Sequence, residues 1–242
     1  MAPLGLGLSV GEYKAFEPID ASNLVLWLKN YTDVAVAQWS DQSGNDNHAT
    51  QSTSGDQATV SEGGLDFEQS EGDHYNLASR ITLSHDVGFT LGLVLKVESY
   101  DGTQNCFLSD SSTEFFEFQT NGKIRLRTIG TGGATSVLTY TGTPFAAGSK
   151  MALVFTRAAG AASGGAEGLM TAYKDGVALS TSAATNNPNS GQAQIDMLGA
   201  RAAGTVDRFF DGSIHEVVVY QKELTGNELS GLNDYLTYIA SI

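Results

Sequence analysis

Apolar residues along this chain gather in short segments with a two-residue beat, separated by turn-forming positions. Leu24-Val-Leu-Trp-Leu28 is apolar throughout, as in a strand covered on both faces. Phe89-Thr-Leu-Gly-Leu-Val-Leu-Lys-Val97, Met151-Ala-Leu-Val-Phe155 and His215-Glu-Val-Val-Val-Tyr220 repeat that signature. Asn121-Gly122 predicts a hairpin turn between Phe115-Phe-Glu-Phe118 and Ile124-Arg-Leu-Arg127, and Asp175-Gly176 predicts another between Met170-Thr-Ala-Tyr173 and Val177-Ala-Leu179. The stretches 158–168 and 181–191, rich in Ala, Gly, Ser and Asn, read as loops. The period changes once, near the C-terminus. Leu229, Leu232, Leu236 and Ile239 line one helical face, preceded by Thr225-Gly-Asn-Glu228 as a capping box and by Leu224 as the partner of a hydrophobic staple. Many short strands and one helix predict an antiparallel sandwich with the helix laid against it.

Residues 1–18 stand apart. Leu4, Leu6, Leu8 and Val10 alternate like a strand, yet Gly5, Gly7, Gly11, Pro3 and Pro18 interrupt it. An extended apolar arm of this kind is expected to dock on a neighbour, the competing reading being a disordered tail, leaving one domain over residues 19–242. Composition narrows the partners. Thirteen Lys+Arg against 27 Asp+Glu leave a net charge of −14, which argues against nucleic acid, since no basic stripe is evident, and against anionic membrane surfaces. A single cysteine, Cys106, excludes an internal disulfide and thiolate-rich metal centres, and its setting predicts a small buried hydrophobe. No apolar run is long enough to cross a bilayer, and the N-terminus does not read as a secretory signal.

Several segments are similar to one known family. Leu24-Val-Leu-Trp-Leu28, Gln38-Trp-Ser-Asp-Gln-Ser-Gly-Asn45 and His48-Ala-Thr-Gln51 resemble the opening of concanavalin A-like, laminin-G-like jelly-roll domains. Tyr173-Lys-Asp-Gly-Val177, Phe210-Asp-Gly-Ser-Ile-His-Glu216, Tyr220 and the run from Leu224 to Leu236 resemble its middle and end. The resemblance covers most of residues 20–240 and implies an all-β jelly-roll β-sandwich with a C-terminal helix. It implies no single function, because the family includes lectins, adhesion modules, glycan-binding appendages of enzymes and phage virion proteins.

Jelly rolls that hydrolyse β-glucans place acid and nucleophile on one face, about 5–5.5 Å apart. Glu114 and Glu117 are three residues apart on a strand and therefore point to opposite faces. Asp66 and Glu68 share a face, but no matching third acid follows. Gly7-Leu-Ser-Val-Gly11 has the letters of a nucleophile elbow without the strand-to-helix context that makes one. His48, His74, His85 and His215 are dispersed. In the last strand, alternation places Ile214, Glu216, Val218 and Tyr220 on one face and His215, Val217 and Val219 on the other, with Glu216 as a structural buttress. Calcium is the one cofactor with a case: Asp41 and Asn45, beside Ser43, Asp46 and Asn47, make an oxygen-rich loop, the competing reading being self-capped turns. Trp39, next to that loop, is the better candidate for a sugar-stacking platform, with core packing as its competing reading, whereas Trp27 belongs to the core.

An adhesion-type fold without catalytic acids, disulfide or export signal leads to an expected function. The chain is expected to be a non-enzymatic bacteriophage virion protein (tail, fibre or capsid surface), made in the host cytoplasm and carried on the particle. Leu4, Leu6, Leu8 and Val10 would anchor it to other virion proteins, and the far loops would meet host glycan. A free carbohydrate-binding module or lectin is the alternative, and a glycoside hydrolase is the least favoured reading. Homo-oligomer formation stays open, since no heptad specifies a coiled coil.

Overall fold

The computed structural model describes residues 16–84, 87–100, 105–110, 115–119, 124–129, 135–140, 145–159, 170–185, 193–203 and 205–242. Among them, two antiparallel sheets stack to form the jelly-roll sandwich, with one helix at the C-terminus. The first sheet runs Val177–Ala178, Met170–Lys174, Lys150–Arg157, Phe89–Val97, Gly212–Tyr220, Gly64–Phe67, Thr59–Ser61, with Leu24–Leu28 also paired to Gly212–Tyr220. The second runs Thr181–Thr185, Thr135–Tyr140, Ile124–Ile129, Phe115–Phe118, Asn105–Ser109, Ala193–Leu198, Tyr75–Leu83, Ala49–Thr50, Gln38–Trp39, Val34–Ala35. A two-stranded ribbon, Arg201–Ala203 with Thr205–Asp207, stands outside both sheets.

Alternation in the central strands explains the layering. Phe89, Leu91, Leu93, Leu95 and Val97 face the inter-sheet core, as do Met151, Leu153 and Phe155. Phe107, Phe116, Phe118, Ile195 and Leu198 meet them from the second sheet. Each such side chain removed from water contributes roughly 1.5–3 kcal/mol. The opposite face of the first sheet is also oily: Trp27, Val94, Ala152, Val154, Val218 and Tyr220 pack under the helix Gly226–Ser241 through Leu232 and Leu236. That explains why those strands read as continuously apolar. Gly92 brings the helix close, since a Cβ there would sit 2.7 Å from Leu236 Cδ1.

Three local expectations change. A bulge between Ile214 and Glu216 breaks the strict alternation, so Ile214 joins Val217 and Val219 in the core while Glu216, Val218 and Tyr220 face the helix. The Thr225 side chain makes no cap bond, and the Glu228 carboxylate accepts from the Lys222 ammonium at 2.8 Å. Thr181–Thr185, read as loop, is a strand paired with Thr135–Tyr140; an edge strand needs backbone partners rather than apolar side chains. The Asp175-Gly176 turn forms as expected, with φ of 49° and 77°.

Glu216 is a buttress as expected. Its carboxylate accepts the Trp27 indole N–H, the Asn30 backbone N–H at 2.6 Å and the Tyr235 hydroxyl at 2.8 Å, linking a strand, a loop and the helix.

Candidate functional site

The residues singled out at the first-strand loop are tied into the fold by hydrogen bonds. Trp39 is fully buried and its indole N–H donates to the Lys29 carbonyl at 3.1 Å. A covered ring offers no face to a sugar, so the stacking role expected of Trp39 is withdrawn. Asp41 accepts four donors: the backbone N–H groups of Trp27, Ser43 and Asn47 and the Ser43 hydroxyl, at 2.8–3.0 Å. Asn45 turns its amide nitrogen to the Leu24 carbonyl and the Ser43 hydroxyl. Asp41 and Asn45 therefore close the loop on its own donors, the self-capped alternative to calcium ligation. Among the described residues no three His, Cys, Asp or Glu side chains converge to hold a metal ion. The anchoring residues Leu4, Leu6, Leu8 and Val10 lie outside the described residues, as do Glu114 and His85.

The concentration of chemistry lies elsewhere, on the outer face of the second sheet. Five of the chain's six arginines gather there: Arg80, Arg125, Arg127, Arg201 and Arg208. Alternation positions the first three, since Ile81 and Ile124 turn into the core and leave Arg80, Arg125 and Arg127 pointing out. The ribbon adds Arg201, and Arg208 follows it. Glu117, fully buried, sits between Arg125 and Arg208, the latter donating from Nη1 to Oε2 at 2.6 Å. Arg201 grips Asp207 with two bonds of 2.8 and 2.6 Å, and Arg80 Nε donates to Asp196 at 2.8 Å. The side chains of Arg80, Arg125, Arg201 and Arg208 keep 14–41% exposure. Each is thus oriented by a carboxylate while still reaching solvent.

Two further details show how the face is constructed. Arg208 adopts a φ of 54°, a conformation that favours glycine, while its carbonyl accepts the Cys106 N–H at 3.0 Å. Cys106 lies fully buried behind the band; burial, aided by nearby Glu117, pushes its thiol pKa far up, so it is an inert core residue as expected. The five described lysines, Lys29, Lys96, Lys150, Lys174 and Lys222, all belong to the other sheet or its surroundings. The sequence, in which no basic stripe is evident, does not register this cluster of arginines interleaved with Glu117, Asp196 and Asp207. Net charge conceals it because the arginines come from segments far apart in sequence. Ile124-Arg-Leu-Arg127 carried the one local signal, two arginines at strand spacing.

The family model for the concanavalin A-like lectin/glucanases superfamily matches residues 69–230. No curated protein sequence matches the chain. Among solved structures, the binding domain of Paraclostridial Mosquitocidal Protein 1 superposes with a TM-score of 0.63 at 15% identity, over 90% of this chain and 53% of that one. Trypanosoma rangeli sialidase gives 0.56 at 14% identity, over 91% of this chain and 33% of its own length. The receptor binding domain of botulinum neurotoxin type G gives 0.50 at 14% identity, over 88% and 51%. The chain thus spans between a third and about half of these proteins, and at such identities the likeness is one of fold.

Proposed function

The chain belongs to the concanavalin A-like lectin/glucanase superfamily, and from that premise we propose that it is a non-enzymatic adhesion domain that binds glycan on the outer face of its second sheet. The arginine band carries this reading: oriented, partly exposed donors on a broad sheet face suit hydroxyl- and carboxylate-rich ligands better than an apolar partner. The toxin binding domains among the structural neighbours agree with a recognition role. The sialidase neighbour raises catalysis as the rival, and the engagement of the band's acids favours binding. Glu117 is buried between two guanidiniums, and Asp196 and Asp207 are each held by one. A general acid or nucleophile must instead stand open to a glycosidic bond.

The setting we infer is a bacteriophage particle, with Leu4, Leu6, Leu8 and Val10 in an anchoring arm. The place where the chain joins the domain supports it. Phe16 lies against Gly231 of the helix, on the side of the sandwich opposite the arginine band. An arm rooted there would leave the band facing away from the particle.

A glycan array, followed by product analysis on every sugar retained, tests the function. Retention without release of reducing ends is expected; sustained release would transfer the protein to the hydrolases, and a blank array would end the glycan reading.

A further inference from the structure

We propose that the arginine band recognises a polysaccharide that bears carboxylates, a uronic-acid type of ligand. This inference rests on the glycan-binding reading above and names its chemical class. The choice of cation is the first reason. The chain has seven lysines and six arginines, yet among the described residues the band holds only arginine. Lysine would serve a diffuse attraction equally well, whereas the planar guanidinium fork matches a carboxylate with two parallel bonds. The face already displays that geometry in the two bonds between Arg201 and Asp207.

The second reason is pre-organisation. Glu117 is fully buried and orients Arg125 and Arg208, and Arg208 keeps an arginine at a φ of 54° where glycine would be the relaxed choice. A guanidinium presents five N–H donors, so one arginine can join two carboxylates, as Glu117 here joins two arginines.

The third reason is extent. Ile124–Ile129, Phe115–Phe118, Asn105–Ser109, Ala193–Leu198 and Tyr75–Leu83 are consecutive strands. At about 4.8 Å per strand the band from Arg125 to Arg80 spans about 19 Å, longer than one monosaccharide. The interleaved acids Glu117, Asp196 and Asp207, together with a net charge of −14, disfavour the dense phosphates of nucleic acid. A sugar chain with spaced carboxylates meets less repulsion.

The test measures binding of the full chain to polygalacturonate, dextran, dextran sulfate and duplex DNA, alongside a wider panel of neutral polysaccharides. Polygalacturonate is expected to bind at least about tenfold more tightly than the rest, and to weaken severalfold between about 0.05 and 0.2 M salt. Arg125→Lys with Arg127→Lys keeps the charge and removes the forks; a loss of about tenfold is expected, with some fall in melting temperature because the buried Glu117 loses a guanidinium partner. Should that pair unfold, Arg80→Lys, at the more exposed end of the band, is read for the same selective loss. Equal binding to dextran, or lysine variants that bind like wild type, would overturn the carboxylate inference and leave glycan binding standing. Preference for dextran sulfate or DNA would overturn it in favour of general charge or phosphate. Failure to bind any sugar would sink both readings.

Discussion

His215 and Glu216 are chain neighbours that the bulge sends into different surroundings, and burial moves their pKa values in opposite directions. Glu216 is pushed up to about 7, chiefly by desolvation, against the pull of its bonds from Asn30, Trp27 and Tyr235 and of nearby Lys29. His215, held near Ser213 and the Glu62 carbonyl, is pushed down to about 4, again chiefly by desolvation, with the Lys150 charge adding to it. For Glu216 the folded value lies above the ordinary 4.5, so its contribution is full below about pH 4.5 and is lost as pH rises through 7. For His215 the folded value lies below the ordinary 6.5, so its contribution is full above about pH 6.5 and is lost as pH falls through 4. Each effect is worth roughly 3 kcal/mol, and the two oppose each other between about pH 4.5 and 6.5. Urea melts across this interval should therefore show His215→Gln losing stability as pH rises relative to wild type, and Glu216→Gln gaining it. Parallel pH profiles for all three proteins would contradict the assignment.

Two glycines test how strand and helix are held together. At Gly212 φ is +141° and a Cβ would lie 2.0 Å from the Lys96 carbonyl oxygen, a backbone atom fixed by strand pairing. At Gly92 the obstacle is the terminal methyl of Leu236 at 2.7 Å, which a rotamer change can move. Gly212→Ala should cost roughly 3 kcal/mol and Gly92→Ala about 1, seen in calorimetry as falls of about 10 °C and about 3 °C respectively. The reverse order would mean that the helix, not the strand pairing, is the rigid element. Sequence alone made these elements visible because burial on both faces leaves a long apolar run, as in Phe89–Val97, and because Leu232 and Leu236 keep the helical period. It could not show the bulge at His215, since one extra residue changes the side-chain parity without changing composition. For Trp39 it left core and loop readings side by side, and only the fold supplies the Lys29 carbonyl that takes its indole N–H.

The band was hidden by a whole-molecule property. An excess of 14 negative charges is compatible with a basic face when Arg80, Arg125, Arg201 and Arg208 come together only through pairing across distant strands. The same long-range assembly places Phe16 on the far side of the sandwich, so the proposed attachment and recognition surfaces would lie apart. Phe16 packs on the helix at Gly231, and the Pro18 carbonyl accepts the Tyr220 hydroxyl at 2.8 Å, so among the described residues the contacts of this segment with the domain include Phe16 and Pro18. A chain starting at Phe16 should therefore keep the parent melting temperature and ligand affinity while failing to co-purify with particles. A chain starting at Asp20 loses the Phe16 contact and leaves the buried Tyr220 hydroxyl without its acceptor. The cost should be roughly 3–5 kcal/mol, or a fall of at least about 6 °C in melting temperature. Comparing the two separates the anchoring role from simple folding damage. Mass spectrometry of purified particles that finds the Phe16 chain at wild-type abundance would remove the arm from attachment, while leaving the arginine band and its ligand untouched.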